Sequence, residues 1–272
     1  MVFDTRHETM KRRSFIDQMG REIRIGFPPT RIISLVPSQT EFLADIGLKN
    51  EVVGITKFCI HPEEWYKQKP KIGGTKRFSF DAISVLNPDL IIGNKEENYQ
   101  EGIQQLEGSY PVWMSDINTL EEALLMMRAI GEITDRLSEA SAVINRIEQN
   151  FLRLAKPTSY KVLYLIWRSP WMTAGTGTFI NDMLERNGFS NAVKEPRYPE
   201  VTADEMRELN PDLIFLSSEP FPFSEKHAEE LKAQVPDSRI ILVDGEMFSW
   251  YGSRLMQACE YFANLQSRLR TI

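Results

Sequence analysis

The sequence predicts an α/β fold in two lobes, each a parallel sheet with helices on both faces, joined by one long helix. Three observations predict it. First, FDAISVLNPDLIIGNKEE over Phe80–Glu97 returns as ADEMRELNPDLIFLSSEP over Ala203–Pro220, so that Leu86 recurs as Leu209, 123 residues on. One helix–strand unit written twice implies two lobes, and a groove between lobes is where ligand pockets usually form. Second, short apolar runs alternate with helix-like segments in both halves, the pattern of parallel sheets. Third, Asn118 to Phe151 keeps apolar residues at 3–4 spacing through Leu120, Leu124, Met127, Ile130, Ile133, Leu137, Val143 and Ile147. A helix of about 33 residues is a rod near 50 Å long, enough to cross from one lobe to the next.

The elements follow in order. Arg31–Val36 reads as a buried strand, and Pro37-Ser38-Gln39-Thr40-Glu41 reads as a turn into a helix whose capping box pairs Ser38 with Glu41. That helix runs to about Asp45, with Gly47 near its C-cap. Glu51–Thr56 is the next strand, KFCIHPEEW the loop after it, and Lys71–Thr75 a tight glycine turn. After the first repeat unit come a helix over 99–106 and a strand over 110–114. The long helix opens on a capping box of Asn118 with Glu121 and meets no proline until Pro157. Lys161–Ile166 restarts the strand pattern at an offset of 130 from Arg31–Val36, and Thr178 caps a helix that starts at Phe179. The second repeat unit, a Glu- and Lys-rich helix, the strand 239–243 and an amphipathic helix over 255–269 complete the chain. The lobes are therefore expected over 1–117 and 157–272, with the connecting helix over 118–156.

Composition excludes several classes. The 272 residues carry a formal net charge of −6 and a pI near 5.3, which argues against a phosphate-tracking nucleic-acid surface. Two cysteines, Cys59 and Cys259, set no disulfide framework. The N-terminal segment MVFDTRHETMKRRSFIDQMGREIRI has no apolar run of the ~7–15 residues of a secretory signal, and no ~18-residue apolar stretch occurs. As written, the chain is expected to stay in the cytoplasm; the periplasm is the alternative if the start is misassigned.

RIISLVPSQTE, VVGITKFCIHP, KIGGTK and LNPDLIIGNKEEN, followed by a long helix and a second related lobe, resemble the helical-backbone substrate-binding proteins of ABC importers for vitamin B12, ferric siderophores or haem. The resemblance covers about Gly20 to Leu269. It implies two Rossmann-like lobes of the class III periplasmic-binding-protein kind, a ligand in the cleft between them and little hinge closure. It also implies acidic residues that dock onto arginines of a permease, pointing to Glu96, Glu97 and Glu101 and to Glu219 and Glu225. Exported members carry a signal peptide or lipoprotein cysteine that this sequence does not show. The implied role is non-catalytic, in a monomer without an intrinsic cofactor. The small-molecule ligand is a metal chelate, a cobalamin or other corrinoid first, a ferric siderophore or haem next.

In parallel α/β sheets ligands lie beyond the carboxyl ends of the strands. The loops there hold Ser38 and Gln39, then Phe58, Cys59 and His61, then Trp167, Arg168 and Trp171, then Phe248, Trp250 and Tyr251. Three of the five tryptophans fall in these four loops, so they form either lids over the core or an apolar wall for a large planar ligand. Arg77, Arg168 and Arg254 suit carboxylates, with surface charge or a structural ion pair as the alternative for each. Cys59 and His61 are either axial donors to a bound metal or, respectively, a small filler and a loop cap before Pro62. His7 and His227 sit elsewhere, so no protein-only metal site is expected. Gly175-Thr176-Gly177-Thr178 lacks the Walker lysine, and Ser38 lacks a GxSxG context and a matching histidine, so neither supplies a catalytic site. The rival from another class is a chelatase-like or metal-cofactor-handling enzyme on the same architecture.

Overall fold

Residues 11–154 and 160–271 are described by a computed structural model; His7 and the lobe boundary expected at 156–157 lie outside them. The chain divides into two compact units, Met1–Asp116 with Leu125–Ala142, and Ile117–Leu124 with Val143–Ile272. Unit 1 opens on an antiparallel hairpin, β1 (Arg12–Ile16) and β2 (Glu22–Gly26), which composition alone had not marked. The buried Asp17 carboxylate closes its turn, accepting from Met19 N at 3.0 Å and Arg21 N at 2.8 Å. Next come β3 (Ile32–Ser34), α1 (Pro37–Asp45), β4 (Val52–Ile55) and α2 (Glu63–Gln68). A small hairpin, β5 (Gly73–Gly74) with β6 (Arg77–Phe78), precedes α3 (Phe80–Leu86), β7 (Leu90–Asn94), α4 (Gln100–Glu107) and β8 (Val112–Ser115). The sheet order is β4-β3-β7-β8, all parallel. Ile32, Ile33, Leu90, Ile91 and Ile92 are fully enclosed, which is why these strands read as unbroken apolar runs.

The repeated Leu-Asn-Pro-Asp segment does the same work in both units. Asn87 and Asn210 end their helices in the left-handed region, at φ 43° and 45°, where asparagine is tolerated and proline can follow. The next aspartate then turns back onto the neighbouring strand. Asp89 accepts from Thr30 N at 2.8 Å and Arg31 N at 2.8 Å, and Asp212 accepts from Lys161 N at 2.7 Å. The cations 130 residues apart also match, since Arg31 Nε donates to Leu86 O and Lys161 Nζ to Leu209 O, each at a helix C-terminus.

The single rod expected over 118–151 is instead two helices, α5 (Leu120–Ile133) and α6 (Leu137–Arg153). The cause is local. Asp135 takes φ 59°, and Arg136 N donates to Gly131 O at 2.7 Å, the long bond of a Schellman ending. Thr134 Oγ1 bonds Ile130 O at 2.6 Å and loosens the same turn. A Cβ at Gly131 would stand 2.5 Å from Ala140 Cβ, so glycine lets the start of α6 pack against the end of α5. The capping box that opens α5 also lies one residue later than expected. Glu122 Oε2 accepts from Asn118 N and Thr119 N, and Thr119 Oγ1 accepts from Glu122 N.

Unit 2 contains β9 (Lys161–Trp167), β10 (Met172–Thr173), α7 (Phe179–Arg186), β11 (Ser190–Asn191), α8 (Ala203–Leu209) and β12 (Leu213–Ser217). It ends with α9 (Glu225–Gln234), β13 (Arg239–Val243), α10 (Glu246–Ser249) and α11 (Leu255–Thr271). Its sheet runs β10-β9-β12-β13, with β9, β12 and β13 parallel, β10 antiparallel and β11 a parallel addition to β9. Leu163, Leu165, Ile214, Leu216 and Met206 fill one core beneath α8 and α9. Each such side chain contributes roughly 1.5–3 kcal/mol on burial.

Candidate ligand site

In unit 1 the carboxyl ends of the strands carry the loops after β3, β4 and β7 and the β5–β6 hairpin. Hydrogen bonds tie them together. Lys57 N donates to Gly73 O at 2.8 Å, and Asn98 Nδ2 donates to Thr75 O at 3.0 Å. Gly73 needs its φ of 103° here, because a Cβ would meet Arg77 O at 2.4 Å. Phe58 stands half exposed on this edge, with Lys57 Nζ 5.0 Å above its ring centroid. Arg77 is exposed and His61 half-buried on the same edge.

Other members of the expected set are enclosed. Cys59 is fully buried, with its sulfur 3.1 Å from both Thr40 Oγ1 and Thr56 Oγ1, and burial pushes its thiol above the ordinary range. Its position is that of a small filler enclosed by two threonine hydroxyls. Gln39 is fully buried as well, its Nε2 donating to Ser115 Oγ at 2.6 Å. Ser38 does not cap α1. Pro37 begins the helix, so Val36 is the N-cap and makes no side-chain bond, as the preference of proline for the first helical position dictates.

Unit 2 carries an aromatic row on its carboxyl edge. Trp167, 39% exposed, meets Phe221 edge-on at 5.7 Å. Trp171 stacks on Phe223 at 6.0 Å with an interplanar angle of 6°, and Phe221 lies 4.8 Å from Phe223. Arg168 sits over Trp171 and makes a two-pronged ion pair with Glu230, 2.6 Å at its shortest, so its fork is already engaged. Phe221, Phe223 and Glu230 had escaped the sequence reading; the Phe-Pro-Phe run after β12 was the available signal. Beside this row a cavity of about 440 Å³ opens among Phe223, Leu242, Asp244 and Glu246.

His227 closes the row from α9. Ser224 N donates to its Nδ1 at 3.0 Å, which places the proton of the neutral ring on Nε2 and leaves no lone pair there for a metal. Desolvation, then the charges of Lys226 and Arg168, hold its pKa below the usual value.

The loop after β13 turns inward, against expectation. Phe248 is fully buried against Tyr164, Phe215 and Phe262. Trp250, 6% exposed, donates from Nε1 to Glu219 Oε1 at 2.9 Å, and Ser249 Oγ donates to the same oxygen at 2.5 Å. Tyr251 is buried edge-on to Phe179, and the buried Arg254 pairs with Glu246 at 3.3 Å. These four side chains belong to the interior of unit 2, and an acid from another loop, Glu219, holds the Trp250 indole there. Glu219 is correspondingly no projecting docking acid; burial raises its pKa despite two donors. Glu96 and Glu97 are half-buried after β7, and Glu225 is exposed at the start of α9. Among the described residues no three His, Cys, Asp or Glu side chains gather as a metal site, and no helix is long and apolar enough to cross a membrane.

Comparisons with known proteins agree with this architecture. The chain is 25% identical to an uncharacterised ABC transporter substrate-binding lipoprotein, YvrC, of Bacillus subtilis over 91% of this chain and 83% of that one. It is 23% identical to the vitamin B12-binding protein of Pectobacterium carotovorum, over 85% and 86%. The crystal structure of the periplasmic vitamin B12 binding protein BtuF of Vibrio cholerae superposes with a TM-score of 0.76 at 19% identity, covering 90% of this chain and 99% of that one. Residues 32–238 match the periplasmic binding protein family, and the chain belongs to that family.

Proposed function

We propose that the protein binds a metal-bearing chelate, a cobalamin or other corrinoid first and a ferric siderophore or haem next, and delivers it to an ABC permease. The observation that carries this reading is the pair of exposed aromatic rings, Phe58 and Trp167, each at the carboxyl edge of a parallel sheet built on the same repeat. Such rings offer flat apolar area to a planar macrocycle without being needed in the core. The role is non-catalytic, as the family is one of binding proteins. The B12-binding relative supports the corrinoid order of preference, and the lipoprotein relative supports work outside the cytoplasmic membrane over the cytoplasmic placement expected from the N-terminal composition.

Purified protein incubated with cyanocobalamin, haemin or a ferric tris-catecholate and then desalted is expected to retain the visible spectrum of one of them. Retention of none removes the reading. For delivery, the surface around Glu96, with Glu225 in place of the engaged Glu219, is the docking candidate. Charge reversal at both is expected to abolish uptake while leaving affinity in solution unchanged, and unchanged uptake removes the permease role.

A further inference from the structure

The displacement of the α1 N-cap from Ser38 to Val36 leaves an unusual first turn. Pro37 has no N–H, and the first intrahelical bond is Thr40 N to Val36 O at 2.9 Å, so the N–H groups of Ser38 and Gln39 precede the helical ladder. No acid lies in that turn. Ser38 is 2% exposed, yet its Oγ has no hydrogen-bond partner among the described residues. The adjoining Gln39 is fully enclosed, and its Oε1 has no partner either. The orientation of that amide is fixed by its surroundings. Its Nε2 faces Ser115 Oγ at 2.6 Å and Gly93 O at 3.5 Å, and the latter only accepts, so Oε1 is the atom left over. Buried polar atoms without partners are rare in folded proteins, and two on consecutive residues call for an explanation.

Resting on the chelate-binding reading, we infer that the first turn of α1 receives a primary carboxamide arm of the ligand. A carboxamide both accepts and donates. Its oxygen takes the Ser38 hydroxyl and the N–H groups at the positive end of the helix, and its NH₂ group donates to Gln39 Oε1. A carboxylate satisfies the first set and meets the lone pairs of Gln39 Oε1 with its own, so the charged acid binds less well than the amide. The turn also stands at the carboxyl end of β3, an inner strand of the sheet, where α/β folds take their ligands. Neither orphan atom is open to solvent, so an arm that reaches them parts their cover as it enters and satisfies both. A corrin, whose rim bears several primary amides, fits this chemistry; haem, whose free side arms are acids, and a ferric tris-catecholate, whose catecholate oxygens are bound to the iron and which carries no primary amide arm, do not.

Two measurements test this separately from the chelate reading. Amide resonances of Ser38 and Gln39 are followed in ¹⁵N-labelled protein titrated with acetamide and, at matched concentration, with acetate. Acetamide is expected to move both signals, acetate to move them less, and Ser38→Ala to suppress the response. In parallel, cyanocobalamin is compared with its monocarboxylic acids, in each of which one amide is hydrolysed. One of these acids is expected to bind about tenfold more weakly than the parent, and Ser38→Ala to weaken the parent about tenfold while erasing most of that difference. If cobalamin fails to bind while acetamide still moves the two signals, the corrinoid assignment is lost and the subsite stands. Signals unmoved by acetamide, or moved equally by acetate, overturn the subsite.

Discussion

Trp250 and Trp167 should behave oppositely when removed, although both were expected to face a ligand. Trp250→Phe keeps most of the buried ring and deletes the 2.9 Å bond to Glu219 Oε1, leaving Ser249 as the remaining donor to that oxygen. A hydrogen bond to a largely enclosed carboxylate is worth roughly 1.5–3 kcal/mol, and that is the expected loss of unfolding free energy at pH 7. Trp250→Ala adds a cavity, for a total of about 3–5 kcal/mol. Because burial raises the Glu219 pKa, the stability this carboxyl contributes is present in its protonated form, below its ordinary 4.5, and is lost as pH rises through its higher folded value. Trp250→Phe removes a donor to the charged form and should extend that loss to higher pH. Urea unfolding followed by far-ultraviolet circular dichroism from pH 4 to 8 measures both effects. Trp167→Ala removes a ring that is 39% exposed and touches Phe221 by its edge, so stability should change by less than about 1 kcal/mol while chelate affinity falls by ~1–3 kcal/mol. A Trp250→Phe variant that unfolds like the parent and binds chelate poorly would refute the assignment of that ring to the interior.

The folded pKa of His227 lies below its unfolded value, so the neutral ring contributes stability that is full above about 6.5 and declines as pH falls through that value. Urea midpoints at pH 7.5 and 5.5 should differ less in His227→Gln, whose amide can still cap Ser224 but does not titrate; an unchanged pH dependence excludes the histidine as its source. Asn87→Ala and Asn210→Ala should each cost ~1–2 kcal/mol, and the glycine substitutions nearly nothing, since only the alanines resist the left-handed backbone; equal effects of alanine and glycine would place the cost elsewhere. Native Cys59 should resist thiol reagents that modify the urea-unfolded chain; rapid labelling of the native thiol would contradict its enclosure beside Thr40 and Thr56.

Much of the frame was legible because it is written in local terms. Strands enclosed on both faces appear as unbroken apolar runs, and Asn-Pro marks a helix end wherever it stands. The break in the long helix was illegible because α5 and α6 both bury apolar stripes, so the 3–4 spacing continues across Thr134-Asp135-Arg136 with only Gly131 as a signal. The start of α1 was misplaced by two residues because serine suits the cap by its chemistry while Pro37 suits the first helical position more strictly by its ring. The inward turn of Trp250 depends on Glu219, thirty-one residues away in sequence. No periodicity encodes such a pairing, so a strand-end aromatic could not be told from a lid. The exposure of Phe58 and Trp167 was not legible either, since the same loop positions suit a lid and a free ring alike.

The aspartates of the repeat fasten each sheet at the amino ends of its strands, Asp89 beside β3 and Asp212 beside β9. Register is thus set at the far end from Phe58 and from Trp167, the last residue of β9, and from the loops that follow them. One frame within one chain already carries Lys57 over the Phe58 ring in one unit and a row of packed aromatic rings in the other. Exchanging these loops should therefore alter what is recognised without the strands slipping past one another, and new specificity can be sought there without rebuilding the core.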